Sequence, residues 1–307
     1  DKVAAVQPEM IHEMLVELTP LFRKGDLLPI PVTTYPIEHA IQAFEYMKLA
    51  KHIGKVVLKL PSKKLENQIL PDATYLITGG LGGIGQVLTK FLAQKGARHI
   101  VIAGRRTDAI LPVKDSETSD LELTYESLDV SDANSVRDLL ARLTSAHYPL
   151  KGIFHLAGVL DDAFLENLDW SRFETVFAPK VYGSFNLHTY SKDLDFFVLF
   201  STAASVLGSP GQSNYAAANA FMDALCQYRR ENGLAAQSVS WGPWSEIGLA
   251  KNLVSRHAHK GLLAINPVEG ADAFEAVFSN HAVHTMIANI NWKVFLEHIL
   301  SLPSWLK

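Results

Sequence analysis

The sequence predicts an α/β fold built on a doubly wound parallel sheet, with a small α+β appendage at its amino-terminal end. Two observations support this prediction. From Ala73 onward, short apolar runs of strand length alternate with segments of helical periodicity over more than 200 residues. In addition, a glycine-rich turn follows the first of these runs and opens the next helical segment.

The main domain is expected to contain strands that are short and apolar: Tyr75–Thr78, His99–Ala103, Leu123–Leu128, Gly152–Ala157, Phe196–Ser201, Gln237–Trp241 and Met286–Ile290. Helices with an apolar period of about 3.6 residues are predicted between them, at Ile84–Gln94, Ala133–Leu143, Asn214–Arg230 and Ala271–Phe278. The polar stretch Thr107–Asp120 is expected to be a surface excursion. This alternation predicts helices on both faces of the sheet.

Residues 1–61 are predicted to form a separate small unit. Its expected elements are a helix, a turn, an extended stretch, a second helix and a strand, at Met10–Arg23, Gly25–Asp26, Leu28–Tyr35, Ile37–Ala50 and Lys55–Leu60. A unit of this size with so few apolar faces makes a poor independent core. It is therefore expected to be the remnant of a neighbouring domain or to pack on the rest of the chain. Residues 62–71 are predicted to be a linker before the main domain, residues 72–307.

The composition is that of an ordinary soluble globular protein, with 48% hydrophobic and 20% charged residues and a net charge of −4. It indicates no nucleic-acid partner. No apolar run approaches the roughly 20 residues that a membrane span needs, so no membrane association is expected. A single cysteine, Cys226, fits a reducing cytoplasm, and no set of closely spaced ligands predicts a metal site. The chain lacks an initiator methionine and a leader, which indicates a piece of a longer protein.

The glycine-rich turn consists of Thr78, Gly79, Gly80, Leu81, Gly82, Gly83, Ile84 and Gly85. Glycines between a strand and a helix allow a tight turn, a close approach to a pyrophosphate and close helix-to-strand packing, as in Rossmann-like folds. The start of the helix then faces the phosphates. The turn predicts a dinucleotide site, and the alternative is an ordinary structural turn.

Arg105 and Arg106 indicate which dinucleotide is bound. They stand about 20 positions beyond the glycines, where an NAD enzyme has Asp or Glu. Because a guanidinium can bind a 2′-phosphate through two hydrogen bonds, the pair predicts NADPH, with Arg105, helped by Arg106, at the 2′-phosphate. The alternative is that both arginines are simply solvated.

Ligands of open parallel sheets bind at the carboxyl ends of the strands. Asp129 and Val130 end the third predicted strand, and Asp129 is expected to meet the adenine. Ala157 and Gly158 end the fourth and are expected to let the cofactor pass closely. His155 is expected to be packed or hydrogen-bonded, without a chemical role.

Three polar residues are candidates for catalysis: Ser201, Tyr215 and Lys180. Reduction of a ketone by hydride needs a proton donor at the developing alkoxide, and a tyrosine can serve if a nearby cation lowers its pKa. Lys180 is the candidate cation. A serine hydroxyl beside the tyrosine can hydrogen-bond the carbonyl oxygen.

The glycine motif, Ser201, Tyr215 and Asn219 resemble the short-chain dehydrogenase/reductase family. Most of that family has lysine four residues after the tyrosine, whereas this chain has Asn219 there and its lysine upstream, at Lys180. This exchange is similar to the ketoreductase domains of polyketide and animal-type fatty acid synthases. The runs that strengthen the resemblance, which covers roughly residues 72–307, are Ser209–Gln212, Asn214–Phe221 and Trp241–Trp244.

The resemblance implies NADPH-dependent reduction of a β-ketoacyl group carried on the phosphopantetheine arm of an acyl carrier protein. It implies catalytic roles for Ser201, Tyr215, Lys180 and Asn219, and cofactor contacts at Pro243 and Trp244. A mobile lid is expected near residues 245–262, where Gly248-Leu249 replaces the more usual glycine-methionine.

The first 61 residues resemble the tail of a polyketide-synthase enoylreductase, on Gly25–Pro29, Ala40–Phe44 and His52–Leu58. Neighbouring synthase domains, such as an enoylreductase and a dehydratase, are therefore expected partners.

Leu160, Asp161 and Asp162 resemble the B-type fingerprint of polyketide ketoreductases, which implies a D-configured hydroxyl. Leu207 stands where the opposite class has tryptophan, and Gln212 is a further candidate for stereocontrol. From the residues alone, the two aspartates could also cap a helix.

Two other functions remain open. One is a stand-alone short-chain dehydrogenase that acts on a diffusible ketone or alcohol. The other is a non-catalytic scaffold domain of a synthase.

Overall fold

The computed structural model describes residues 8–28, 30–50, 53–59, 68–107, 111, 120–248, 258–278 and 282–297. The chain divides into two compact units, Asp1–Leu65 and Glu66–Lys307. Most of the predicted linker and of the excursion Thr107–Asp120, and half of the lid, lie outside the described residues. Ile69, from the described end of the linker, is buried in the core of the second unit. Among the described residues, no helix is long and apolar enough to cross a membrane.

The first unit contains helix α1 (Pro8–Lys24), strand β1 (Val32–Pro36), helix α2 (Ala40–Lys48) and strand β2 (Lys55–Lys59). The two strands pair in parallel. The elements agree with the sequence-based expectation, but the helix expected over Ile37–Ala50 begins as a 3-10 turn, Ile37–His39, and its α-helical part ends at Lys48. Gly54 has φ +93°, and a Cβ there would lie 2.0 Å from the Pro31 carbonyl oxygen, so the bend before β2 requires glycine.

The strands of the second unit are β3 (Thr74–Thr78), β4 (His99–Gly104), β5 (Glu122–Ser127), β6 (Leu150–His155), β7 (Phe196–Thr202), β8 (Gln237–Trp241), β9 (Leu262–Leu263), β10 (His284–Ile287) and β11 (Asn289–Ile290). Seven of them form one sheet in the order β10-β8-β7-β6-β3-β4-β5, and every pairing in it is parallel. The remaining two, β9 and β11, form a short antiparallel pair.

Helices cover both faces of this sheet: α3 (Gly83–Gln94), α4 (Ala133–Thr144), α5 (Trp170–Phe177), α6 (Gly183–Tyr190), α7 (Ala204–Leu207), α8 (Ser213–Glu231), α9 (Pro267–Phe278) and α10 (Trp292–Glu297). Side chains alternate along each strand, so Tyr75 and Ile77 join the core with α3 and α9, and Leu76 joins the core with α4, α6 and α8. The doubly wound parallel sheet is confirmed.

Two predictions about elements are wrong. The strand expected at Met286–Ile290 is two strands, because His284–Ile287 pairs with β8 and Asn289–Ile290 turns away to pair with β9. Helices α5 and α6 were not expected at all. They flank a π-helical turn, Ala178–Tyr182, which contains Pro179 and widens the helix, so a search for a 3.6-residue period fails across it.

The strand order places a crevice at the carboxyl ends of β3 and β6. The chain moves to one side of β3 with β4 and β5 and returns to its other side with β6, β7 and β8. Such a reversal separates the loops that leave neighbouring strands, which is where open α/β sheets bind ligands.

Candidate active site

A cavity of about 700 Å³ lies at this edge of the sheet, entirely within the second unit. Many of the residues predicted from the sequence line it: Gly79, Gly82, Gly83, Ile84, Gly85, Arg106, Ala157, Gly158, Pro243 and Trp244 from the cofactor set, Ser201, Tyr215 and Lys180 from the catalytic set, and Leu160, Asp162 and Gln212 from the stereocontrol set. The structure thus gathers residues from distant parts of the sequence around one space.

The glycine-rich turn is held tightly against its neighbours. Gly79 has φ +73°, and a Cβ there would lie 2.8 Å from the backbone nitrogen of Ala157. A Cβ on Gly85 would lie 2.4 Å from the Gly80 Cα, and one on Gly83 would lie 2.5 Å from the Ile247 Cβ. Side chains at these positions would push the turn, the helix and the Ile247 segment apart.

The start of α3 suits a dinucleotide diphosphate. Gly82 is its N-cap and, as glycine, has no side chain to cap the first backbone N–H groups. The first backbone N–H groups of a helix lack partners within the helix, and here they begin beside the cavity. The donors and the small residues around them therefore fit an anionic, extended group.

Three residues of the turn do not line the cavity. Thr78 is buried and hydrogen-bonds His155, with 2.7 Å between its Oγ1 and the ring Nδ1. Gly80 lies against Ile77 and Ile102. Leu81 packs on the hydrophobic core. These three residues therefore support the turn without lining the cavity.

Arg105 and Arg106 are both exposed at the end of β4, and Arg106 lines the cavity whereas Arg105 does not. The Tyr125 hydroxyl lies 2.8 Å from the carbonyl oxygen of Gly104 and 2.9 Å from that of Arg106. This contact from the neighbouring strand β5 holds the backbone where the two arginines leave the sheet.

Asp129 and Val130 lie outside the cavity lining. The Asp129 carboxylate accepts hydrogen bonds from the backbone nitrogen of Ser131, at 2.9 Å, and from its hydroxyl, at 2.6 Å, so it closes a local turn. The Val130 side chain is buried, and its carbonyl oxygen accepts a bond from Asn186. An adenine contact at Asp129 stays a prediction.

Lys180 is carried into the cavity wall by the π-helical turn. Its side chain is buried, its Nζ donates to the Phe200 carbonyl oxygen at 3.2 Å, and the same Nζ lies 5.4 Å from the centre of the Tyr215 ring. Burial lowers the pKa of Lys180 to about 7, and the charge of Asp223 opposes that shift. The lysine is therefore a buried cation that can lose its charge near neutral pH.

Tyr215 lies in the first turn of α8. Burial raises the pKa of its phenol to about 12, the Asn219 side chain opposes the rise by hydrogen bonding, and the charge of Asp162 adds to it. Asn219 donates to the Tyr215 carbonyl oxygen at 2.7 Å, while its own Oδ1 is buried without a partner. The phenol is thus a neutral proton donor, and nearby positive charge would add to the effect of Asn219 in favouring its ionised form.

Ser201 lies near these groups, close to the end of β7. Its Oγ is buried and has no hydrogen-bond partner among the residues that the structure describes, although Ser201 lines the cavity. Burying a hydroxyl without a hydrogen-bond partner costs free energy. Such a hydroxyl is expected where its partner is an oxygen of a ligand. A phenol, a cation and a free hydroxyl around one space are the groups needed to protonate a carbonyl oxygen as hydride reaches its carbon.

The Leu160–Asp162 segment is a loop and caps no helix. Asp161 forms an ion pair with Arg172, and the Asp162 carboxylate accepts a hydrogen bond from the Gln212 amide at 3.0 Å. Asp161 and Leu207 do not line the cavity. The pair Asp162 and Gln212 therefore connects this loop to the segment just before the tyrosine.

Sequence reasoning missed Asn214, which ties the same loop to α8. Its Nδ2 donates to the carbonyl oxygens of Asp161, at 2.8 Å, and Arg172, at 3.2 Å, while its Oδ1 accepts from the backbone nitrogen of Tyr215 at 2.8 Å. The only signal was its place inside the run Asn214–Phe221.

The described ends of the expected lid also contribute to the cavity. Glu246, Ile247 and Gly248 line it from one end, and Lys260 and Leu262 line it from the other. Among the described residues, no group of three or more His, Cys, Asp or Glu side chains could hold a metal ion.

Comparison with known proteins identifies the family. The family described as "KR domain" matches residues 73–246, and the one described as "Zinc-binding dehydrogenase" matches residues 2–58. The chain is 40% identical over 304 residues to the phenolphthiocerol synthesis polyketide synthase type I Pks15/1 of Mycobacterium marinum, which covers 94% of this chain and 14% of that protein. It is 36% identical to the mycocerosic acid synthase-like polyketide synthase of Mycolicibacterium smegmatis, with the same two coverages.

A solved structure described as "Structure of A-type Ketoreductases from Modular Polyketide Synthase" superposes with a TM-score of 0.70 at 36% identity, and covers 78% of this chain and 52% of that chain. The cavity lies within the matched residues 73–246 apart from its lid end. The chain therefore belongs to the KR domain family of polyketide synthases, as an NAD(P)H-dependent ketoreductase preceded by a zinc-binding-dehydrogenase segment of the kind that ends an enoylreductase.

Proposed function

We propose that this chain reduces a β-ketoacyl thioester, carried on an acyl carrier protein, to the β-hydroxyacyl thioester with NADPH. The observation that carries the proposal is the placement of the Lys180 Nζ 5.4 Å from the Tyr215 ring centre, in a cavity that reaches from Ser201 to the glycine-rich turn.

When bound along the glycine-rich turn, NADPH would supply the hydride for the carbonyl carbon. Tyr215 donates its phenolic proton to the carbonyl oxygen, so that the ketone becomes an alcohol and the tyrosine becomes a tyrosinate. Ser201 donates a hydrogen bond to the same oxygen and directs it toward the phenol. The charge of Lys180 stabilises the tyrosinate, and Asn219 holds the first turn of α8 through its bond to the Tyr215 carbonyl oxygen.

NADPH is proposed over NADH because of the two arginines at the end of β4. Arg106 lines the cavity, and Arg105 is its exposed neighbour. The two carboxylates that line the described part of the cavity, Asp162 and Glu246, belong to segments that follow β6 and β8 rather than β4. A guanidinium there would bind a 2′-phosphate with charge-assisted hydrogen bonds.

The carrier-bound substrate is proposed from the relatives. The chain spans 14% of the length of the first polyketide synthase that it matches, so the remaining domains of such a protein would supply and remove the acyl group. The partners proposed are the acyl carrier protein and neighbouring enoylreductase and dehydratase domains. The apolar lining contributed by Leu160, Pro210 and Leu262 suits an acyl chain.

A D-configured product is proposed from the loop at Leu160–Asp162 and from Leu207. A nicotinamide held in one orientation would deliver hydride from one side only, so turning the acyl chain end for end in the cavity would invert the new centre. The hydrogen bond from Gln212 to Asp162 supports a fixed wall on one side of that path.

The test compares three substrates at equal concentration with NADPH: a β-ketoacyl group on a carrier protein, the same group on a small thiol, and a ketone without a thioester. We expect kcat/KM to fall in that order. A higher kcat/KM for the free ketone would favour a reductase of diffusible ketones, and no turnover of any substrate would favour a scaffold.

A further inference from the structure

His155 is a buried side chain that the proposed chemistry does not use. It ends β6, next to Thr78 at the end of β3, and the two residues are register partners. One ring nitrogen, Nδ1, lies 2.7 Å from the Thr78 Oγ1, and the other, Nε2, lies 2.9 Å from the Pro179 carbonyl oxygen. The imidazole therefore joins the first residue of the glycine-rich turn to the residue before Lys180.

The partners fix which nitrogen carries the proton. A carbonyl oxygen can only accept, so Nε2 must donate to Pro179. Burial, and to a smaller extent the charge of Lys180, lower the pKa of His155 to about 3 against the opposing effect of the bond to Pro179. The ring is then neutral at working pH, so Nδ1 has a lone pair and accepts from the Thr78 hydroxyl.

The bond to Pro179 acts directly on the backbone of the lysine. The Pro179 carbonyl belongs to the peptide plane that also contains the Lys180 nitrogen, and a fixed oxygen fixes that plane. This plane lies in the π-helical turn Ala178–Tyr182, where proline offers no N–H of its own. His155 thus contacts the irregular turn at the point from which the Lys180 side chain departs.

The ring has little room to move. A Cβ placed on Gly183 would lie 3.4 Å from the His155 Cε1 and 2.7 Å from a methyl carbon of Val130, so the π-helical turn and the next helix close on the ring. Both His155 and Thr78 are fully buried. Water therefore cannot easily replace either hydrogen bond.

We propose that His155 is a positioning residue that couples the cofactor turn to the catalytic lysine, by accepting from Thr78 and donating to the Pro179 carbonyl. The proposal rests on the role proposed above for Lys180. The two links have separable effects. The link to Pro179 sets the position of Lys180 and hence kcat, and the link to Thr78 sets the start of the glycine-rich turn and hence cofactor affinity.

The test uses two substitutions that each keep one link. Glutamine places an amide N–H near the position of Nε2, and asparagine places a carbonyl oxygen near the position of Nδ1. We expect His155→Asn to lower kcat on the order of tenfold more than His155→Gln does. We expect His155→Gln to raise the Kd for NADPH more than His155→Asn does, and Thr78→Val to reproduce that rise in Kd.

The matched control is His99→Gln. His99 lies at the amino end of β4, away from the cavity, where it pairs with Glu122 and stacks on Tyr148. The His99→Gln substitution should leave kcat and the Kd for NADPH unchanged. If the two His155 variants changed kcat equally and Kd equally, the proposal would be overturned. A residue that only fills space would not make one variant lose mainly kcat and the other mainly cofactor affinity.

Nitrogen NMR of the unsubstituted chain tests the links without any variant. We expect a neutral His155 ring with protonated Nε2 and unprotonated Nδ1. The other tautomer, or a charged ring, would overturn the proposal even if the variants fail to fold. Lys180→Met is measured in parallel. Full kcat in Lys180→Met would refute the proposed role of Lys180. If Lys180→Met loses kcat while the two His155 variants have the same kcat and the same Kd, only the proposed coupling through His155 is refuted.

Discussion

The Nζ of Lys180 lies 5.4 Å from the centre of the Tyr215 ring, although 35 positions separate the two residues in the sequence. The π-helical turn delivers the lysine and the first turn of α8 delivers the tyrosine. Lys180 is bound to the Phe200 carbonyl oxygen, on the strand that ends with Ser201 and Thr202. Three separate elements thus hold the groups that the proposed reaction needs.

The rate of reduction should fall as the pH rises through about 7. Burial lowers the pKa of Lys180 to about 7, so the lysine is charged below that pH and neutral above it. Only the charged form stabilises a tyrosinate, so kcat should follow the charged fraction. The measurement is kcat against pH at saturating NADPH and thioester. Lys180→Arg keeps its charge throughout and should lose the pH dependence; a flat profile in the unsubstituted chain would contradict the prediction.

Lys180→Met should stabilise the fold in a pH-dependent way. The folded pKa of about 7 lies below the ordinary 10.5, so the unfolded chain binds more protons between these values. The free energy of unfolding should therefore rise with pH across this window, and the charge penalty is largest below about pH 7. Methionine removes the penalty, on the order of a few kcal/mol below that pH. Urea unfolding of both chains at several pH values measures it, and a gain from Lys180→Met that does not shrink toward pH 10.5 would be inconsistent.

The preference for NADPH over NADH should depend on Arg106 and, to a smaller extent, on Arg105. Each charge-assisted hydrogen bond contributes roughly 1.5–3 kcal/mol, so Arg106→Ala should reduce the ratio of the two affinities by on the order of tenfold or more. Titration with each cofactor measures the ratio. Arg137→Ala, on the exposed face of α4, is the control and should leave it unchanged. Equal affinity for both cofactors in the unsubstituted chain would refute the assignment.

The product from a β-ketoacyl thioester should have predominantly the D configuration. Gln212→Leu keeps a side chain of similar length but removes the hydrogen bond to Asp162, so the D fraction should fall as the cavity wall loosens. Chiral chromatography of the product measures the fraction for both chains. A predominantly L product from the unsubstituted chain would show that Leu160–Asp162 and Leu207 do not have the significance proposed here.

The glycine-rich turn and the strand–helix order could be predicted because both are local in the sequence. A glycine between strand and helix, or an apolar run of strand length, can be recognised without knowing its neighbours. Most glycines of the turn line the cavity between β3 and α3, where the strand–helix order places them.

The features that could not be predicted depend on contacts between distant segments. The π-helical turn hides α5 and α6 from a search for helical periodicity, and only tertiary packing shows that Asn214 binds the Asp161 carbonyl oxygen. The adenine contact expected of Asp129 stays a prediction. Its carboxylate also accepts hydrogen bonds from Ser131, and sequence spacing alone could not show this local contact.

The most direct test of the central claim is the Tyr215→Phe variant, assayed for reduction of a β-ketoacyl thioester by NADPH beside the unsubstituted chain. Phenylalanine keeps the ring near Lys180 and removes only the proton donor. The account predicts that the unsubstituted chain turns over, that Tyr215→Phe loses at least roughly a hundredfold in kcat, as expected for removal of a general acid, and that its Kd for NADPH stays nearly the same. An ordinary kcat in Tyr215→Phe would show that the proton comes from another group and would contradict the account.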